Sequence, residues 1–358
     1  MMKTSNVTLS DLGYDDFFEA VRKELGLVEN SLARVIAEYK EAYRVKSVDS
    51  EYLAKITGKQ MFMATIREDY PAVGDWVVID ELPDEKAVIR KILPRKTILK
   101  KQYSDKQDTQ IIATNIDFAF IVESLDRDYN LNRFERFLVL VNEGRIKPII
   151  VLNKTDLIPK KELDSRISQI INRFSDIEII TSSIVKEQGL KDISNHIIKG
   201  KTYCFLGSSG VGKSSLINKL LGKDEIKTRE INLDIERGRH TTTTRDMYFL
   251  GNGGIVIDNP GTREVGIADS DTGIENIFDE ISFLSRRCRF SDCAHLHEPG
   301  CAVLKAVEQK ELDKGKYDNY IKLKKESEFY KMNEVEKRAK DRKFGQFVKK
   351  YYDMFKDD

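Results

Sequence analysis

Short stretches in which apolar and polar residues alternate fill the chain from about Ser31 to Thr97. They are Ala33-Arg34-Val35-Ile36-Ala37, Tyr43-Arg44-Val45, Gln60-Met61-Phe62-Met63-Ala64-Thr65 and Asp75-Trp76-Val77-Val78-Ile79. A period of two puts one face of a strand into a core, and Pro71, Gly74 and Pro83 supply turns between the stretches, so the pattern predicts a small β-domain. Farther along, the alternation gives way to continuous apolar runs. Lys147-Pro148-Ile149-Ile150-Val151-Leu152, Ile177-Glu178-Ile179-Ile180 and Thr202-Tyr203-Cys204-Phe205-Leu206 read as strands of the buried kind found in parallel sheets. Ser214 to Leu221 has the spacing of an amphipathic helix. One further helix, around Tyr14 to Leu25, is expected to dock on the β-domain, and charged helices are expected after Glu275-Asn276-Ile277-Phe278-Asp279-Glu280-Ile281.

Chemistry enters where these strands end. The Thr202–Leu206 run feeds Gly207-Ser208-Ser209-Gly210-Val211-Gly212-Lys213-Ser214, and the helix starts there, with Ser215 in its first turn. Glycines let successive N–H groups face a polyanion, and the positive end of the helix faces the same spot. Lys213 is expected to reach the β- and γ-phosphates of a nucleotide, Ser214 to ligate Mg2+, and Asp258 to hold that ion from the far side. Gly261, in Asp258-Asn259-Pro260-Gly261, is expected to offer its N–H to the γ-phosphate.

The run ending at Leu152 feeds Asn153-Lys154-Thr155-Asp156. Asp156 can accept hydrogen bonds from N1 and N2 of guanine, donors that adenine lacks, while Lys154 lies over the base and Asn153 braces the loops. Thr181, Ser182 and Ser183 follow another strand and are expected to back the base. In most GTPases the base reader follows the phosphate loop. Here it precedes it, so the order implies a circularly permuted GTPase in which the ligand loops still gather at the carboxyl ends of a doubly wound sheet.

Arg237-Gly238-Arg239-His240-Thr241-Thr242-Thr243-Thr244-Arg245 has no apolar anchor, as a loop that orders around nucleotide would. One threonine is expected to complete the Mg2+ shell, Thr242 first and Thr241 next; His240 can orient the attacking water or stabilise charge, or simply be solvated. Near the C-terminus, Cys288, Cys293 and Cys301 with one of His295 or His297 make a closed Cys3His set, the ligands a structural zinc prefers. Three of the four cysteines fall in this cluster and the fourth, Cys204, lies in a predicted buried strand, which favours a metal over disulfides.

The permuted order, Gly238-Arg239-His240-Thr241-Thr242 and the Cys/His cluster together resemble the RsgA/YjeQ family of GTPases that depend on the small ribosomal subunit, over nearly the whole chain. The resemblance implies an N-terminal OB-fold that binds RNA, a permuted GTPase domain and a zinc-containing C-terminal domain. It also places the hydrolytic histidine on His240 and the zinc imidazole on His295. One departure is Asn259, where such sequences often carry threonine; Asp258 and Gly261 are intact.

Length fits several units, since 358 residues exceed what one core usually organises. The expected fold is multidomain α/β: a helical extension over 1–30, an OB-fold over 31–102, the permuted P-loop GTPase domain over 103–273 and a helical zinc-binding domain over 274–358. The N-terminus is polar, with Asp11, Asp15 and Asp16 early, and no apolar run approaches eighteen residues. A cytoplasmic protein without a membrane span is therefore expected; a monomer is expected as well, although sequence does not give the oligomeric state. Net charge is only +1, but Lys86 to Lys106 holds eight Lys or Arg against Asp105 alone, and Lys316 to Lys350 holds twelve against six acidic residues. Such blocks neutralise phosphates. The aromatics of the second block, Tyr317, Tyr320, Phe329, Tyr330, Phe344 and Phe347, recur near helical spacing and are expected mainly to pack helices.

The function that the resemblance implies is GTP hydrolysis coupled to late maturation of the small (30S) subunit through its 16S rRNA, with slow turnover alone expected because no glutamine stands ready to position water. Two alternatives are a nucleotide-regulated RNA-binding module with incidental hydrolysis, and a GTPase of large-subunit assembly. Ribosome profiles of a Lys213→Ala variant separate the first alternative from an enzyme whose hydrolysis matters.

Overall fold

The computed structural model describes residues 7–40, 42–102, 109–126, 129–174, 176–185, 187–222, 245–258, 266 and 270–332. His240, Thr241 to Thr244, Gly261, Phe344 and Phe347 lie outside the described residues.

Five strands, β1 (Ser31–Glu38), β2 (Tyr43–Lys46), β3 (Glu51–Ile56), β4 (Trp76–Leu82) and β5 (Lys86–Ile92), pair in the order β1-β2-β3-β5-β4 and close through β1–β4. All pairs are antiparallel except β3–β5, and this circuit is that of an OB-fold barrel. Alternate residues fill it: Val35, Val45, Ala54, Val77, Ile79 and Ile89 are buried together. Helix α1 (Asp16–Glu24) docks on its outside, where Phe18 and Leu12 meet Leu32, Trp76, Val78 and Leu93.

Gln60 to Thr65 is not a strand. Residues Gly58–Met63 form a helix, α2, between β3 and β4. Thr57 caps it reciprocally: Thr57 Oγ1 accepts from Gln60 N at 3.1 Å and Gln60 Oε1 accepts from Thr57 N at 2.9 Å. That capping box satisfies two backbone donors locally, and the barrel has no place for another strand because β3 already pairs with β2 and β5.

The second half of the chain builds a sheet in the order β10 (Glu178–Thr181), β9 (Lys147–Asn153), β8 (Phe118–Ser124), β11 (Thr202–Leu206), β13 (Ile255–Asp258), β12 (Asp246–Phe249). All its neighbours are parallel except β12–β13. Both faces are covered. Phe120, Val122, Val151, Phe205 and Val256 pack in one cluster, while Ala119, Ile121, Leu152, Cys204, Leu206 and Ile257 belong to the other. Helices α3 (Leu131–Glu143), α4 (Lys160–Arg173), α5 (Glu187–His196) and α6 (Lys213–Leu221) connect the strands. A hairpin, β6 (Ile98–Gln102) with β7 (Thr109–Thr114), links barrel to sheet, and β1 meets β12 at Ala37 and Asp246. The C-terminal module comprises α7 (Asp271–Ile277), α8 (Asp279–Ser285), α9 (Ala302–Glu308) and α10 (Lys314–Lys331), and it shares the larger core through Ile274, Phe278, Ile281, Val303 and Leu323.

Arg34 ties these parts together. From β1 it is fully buried and donates to Leu12 O at 2.5 Å, Asn115 O at 3.1 Å, Gly74 O at 3.3 Å and Thr202 Oγ1 at 2.9 Å, so one guanidinium serves the N-terminal segment, the barrel, the β7–β8 connection and the start of β11. Burial lowers its pKa to about 10, against the opposing pull of Asp117, Asp75 and Asp15. Each buried carbonyl left without its donor costs about 1–3 kcal/mol. Arg34→Met is therefore expected to destabilise the protein by several such increments; an unchanged denaturant midpoint would refute this.

Candidate functional site

The phosphate loop forms between β11 and α6. Gly212 stands at the helix N-cap with φ of 99°, a left-handed conformation, and a Cβ there would lie 2.4 Å from Asn153 Nδ2. No side chain caps the helix, so its first N–H groups face the loop interior. Lys213 Nζ donates to Gly207 O and Ser208 O, both at 2.7 Å, closing the ring where phosphates are expected. Burial lowers the Lys213 pKa to about 8, with Asp258 and then Glu123 pulling it back up. Gly212→Ala combines backbone strain with a clash against the Asn153 amide and is expected to weaken GDP binding on the order of 10²-fold. Wild-type affinity in a fluorescent-GDP titration would contradict that.

The inverted motifs do meet. Asn153 ends β9, is 1% exposed, and donates from Nδ2 to Val211 O at 2.8 Å, bonding the loop after β9 to the loop between β11 and α6. Lys154 takes a left-handed backbone (φ 59°) and pairs with Asp126 at 2.9 Å. Asp156 lies in the following turn, where its Oδ1 accepts from Ser183 Oγ at 2.5 Å. Thr181 ends β10 beside Leu152. Ser182 is fully buried, donates its N–H to Leu152 O and accepts through its carbonyl from Thr155 N and Oγ1. Ser208, Ser209, Gly210 and Ser215 occupy the loop and the first turn of α6, as does Ser214. Asp258 ends β13, is 8% exposed and neighbours β11 through the β11–β13 pairing.

Sequence reasoning missed the end of β8. Glu123 and Ser124 stand opposite Leu152 and Asn153, Ser124 Oγ donates to Asp126 at 2.7 Å, and Arg133 of α3 pairs with the fully buried Glu123 at 3.0 Å. These residues buttress both loops. The available signal was Phe118–Val122, a further apolar run ending in polar residues.

A separate centre gathers Cys288, Cys293, His295 and Cys301, whose ligand atoms all lie within 4.8 Å of one another. The Cys288–Cys301 sulfurs are 3.8 Å apart, and His295 Nδ1 is 3.6 Å from Cys288 Sγ and 3.4 Å from Cys301 Sγ. A tetrahedral ion with bonds of about 2.3 Å to sulfur and about 2.0 Å to nitrogen demands edges of about 3.8 Å and about 3.5 Å, so the donors fit a metal. His297 is exposed and outside the cluster. Tyr317 fixes the histidine by donating to His295 O at 2.6 Å. Backbone N–H groups of His297, Glu298, Leu296 and Ala294 hold the Glu298 carboxyl down to about 2, which keeps the loop folded under the cluster. Of the aromatics beyond it, Tyr320 packs on Phe278, as helix packing requires.

A model of the RsgA GTPase family matches residues 92–268. Small ribosomal subunit biogenesis GTPase RsgA 1 of Bacteroides thetaiotaomicron is 40% identical over 350 residues, covering 97% of this chain and 97% of that protein. The chain belongs to the RsgA GTPase family. RsgA 2 of Lactiplantibacillus plantarum is 39% identical over 316 residues, covering 88% and 89%. Among solved structures, YjeQ from Thermotoga maritima superposes with a TM-score of 0.60 at 28% identity, covering 82% of this chain and 97% of that one. YloQ, described as a circularly permuted GTPase, gives 0.59 at 26% identity, with 86% and 98% covered. RsgA membership makes the chain a GTP-hydrolysing enzyme that works with Mg2+, and the strand order above is the permuted GTPase sheet. Among the described residues no helix is long and apolar enough to cross a membrane.

Proposed function

We propose that this RsgA-family GTPase is a cytoplasmic ribosome biogenesis factor that binds the small subunit and its 16S rRNA, assists late maturation and is released on hydrolysis. The observation supporting this reading is the Asn153–Val211 bond, which holds the loop after β9 against the loop between β11 and α6. The names of the relatives supply the small subunit.

In this reading Asp156 pairs with guanine N1 and N2, Lys154 covers the base, Ser183 orients Asp156, and Lys213 leaves Gly207 O and Ser208 O for the β- and γ-phosphates. Ser214 and Asp258 hold Mg2+ with Thr242, Gly261 senses the γ-phosphate, and His240 assists water. The Cys3His cluster holds zinc. With four protein ligands and no open position it folds the module and does not catalyse. Units at 1–30, 31–102, 103–273 and 274–358 divide these roles in a monomer.

Because the chain passes in sequence from Asp258 to α7, which packs along α3, GTP is expected to fix the C-terminal module in its RNA-binding pose. Co-sedimentation with small subunits in the GTP-analogue and GDP states tests this. Tighter binding with the analogue supports it; equal affinity overturns it.

A further inference from the structure

A cavity of about 570 Å³ lies where the barrel, the β6–β7 hairpin and the sheet domain meet. Five cations line it, Arg95 and Lys96 from the strand-to-hairpin connection, Lys100 and Lys101 from β6, and Arg145 from the turn after α3; among the described residues Glu68 and Glu143 are its only carboxylates. Both carboxylates are engaged, Glu68 by Lys100 at 2.5 Å and Glu143 by Gly273 N at 2.9 Å. Arg95 and Lys96 are anchored as well, on Asp75 at 2.7 Å and Asp15 at 2.5 Å. Half of the first basic block of the sequence, Arg95, Lys96, Lys100 and Lys101, therefore converges here, and Arg95, Lys96 and Lys100 are held in place by ion pairs.

The cavity is preformed. A Cβ on Gly144 would lie 2.5 Å from Ile98 O, and Ile98 N donates to Gly144 O at 3.3 Å, so the turn carrying Arg145 is pressed against the strand carrying Lys100 and Lys101. Arg145 itself is exposed on a left-handed backbone (φ 57°), a conformation disfavoured for a side-chain-bearing residue. Gly266 and Ser270, from the stretch before α7, complete the lining, while Arg145 stands at the end of β9 opposite Asn153. Arg145 precedes β9 and Asn153 ends it, and a seven-residue strand spans about 20 Å.

We infer that this cavity is a second phosphate-binding site, distinct from the GTP loops, that takes the phosphodiester backbone of RNA. Clustered point charges, with no aromatic side chain among the described residues that line the cavity, suit phosphates and offer nothing for a base to stack on. Choosing RNA as the phosphate source rests on the small-subunit reading above; the phosphate chemistry does not.

The test uses a Lys101→Gln, Arg145→Gln double variant of the full chain, loaded with a non-hydrolysable GTP analogue and Mg2+ so that the phosphate loop is filled and the subunit-binding state is populated. Both residues lie outside the GTP loops, so GTP hydrolysis without subunits is expected to match wild type. Small-subunit affinity is measured between 50 and 200 mM salt. Losing two phosphate contacts should reduce the log–log salt slope by about 1.4 to 1.8, so the affinity lost over that range should be about tenfold smaller than for wild type. An unchanged slope overturns the inference. Should wild type itself not bind small subunits, the functional reading fails instead, and calorimetry with tripolyphosphate decides the cavity alone. Binding by analogue-loaded wild type that is lost in the double variant sustains the site; identical heats refute it.

Discussion

Asp156→Ala is expected to erase the preference for guanine over adenine nucleotides, a change on the order of 10⁴-fold in relative affinity. The magnitude follows from asymmetry. Guanine offers N1 and N2 donors to one carboxylate, whereas adenine would leave that carboxylate facing an acceptor in a half-buried pocket, and desolvating a charge without donors is costly. The surroundings hold Asp156 and its loop in place. Ser183 Oγ orients one carboxylate oxygen at 2.5 Å, Lys154 is fixed by Asp126, and Asn153 locks the loop to Val211. Calorimetric titration with GDP and ADP measures the change. Wild type should bind GDP alone, and the variant should bind both weakly and alike. A variant that still selects GDP would move the base reader elsewhere.

Cys301→Ala should have the largest effect on stability. Structural zinc contributes an apparent binding free energy of about 10–16 kcal/mol, all of it folding free energy for a module that cannot assemble its ligands unfolded. Cys301 is doubly placed, because its sulfur faces His295 Nδ1 at 3.4 Å and also caps α9 by accepting from Leu304 N at 3.4 Å. Its side chain is 5% exposed and sits in the same core as Val303, Ala306 and Phe278. The variant, or wild type treated with a strong chelator, is expected to lose the α7–α10 module to limited proteolysis while the sheet domain persists. Metal analysis should give one zinc per wild-type chain. A module that resists protease without metal would show the cluster to be dispensable for folding.

The parts legible in the sequence were those where a buried strand hands over to a polar motif. Ile149 to Leu152 and Tyr203 to Leu206 announce their burial by being apolar on both faces, so Asn153 and Gly207 could be placed at strand ends without coordinates. Other features depend on long-range partners. Met61, Phe62 and Met63 are apolar enough to pass for a strand, yet the Thr57–Gln60 capping box makes them a helix whose side chains stay exposed. Arg34 reads as the outward residue of an alternating strand, but four acceptors drawn from distant segments make it fully buried. The choice between His295 and His297 rested on resemblance until geometry brought only His295 Nδ1 within reach of the thiols. Glu123 and Arg133 sit ten residues apart, and nothing local pairs them.

The central claim is that one guanine-nucleotide site is governed by the small ribosomal subunit, and the GTP hydrolysis rate with purified small subunits, with large subunits and with neither tests it most directly. Slow turnover alone, strong acceleration by small subunits and none by large ones is the predicted result. Equal rates in all three conditions, or acceleration by large subunits, would contradict it.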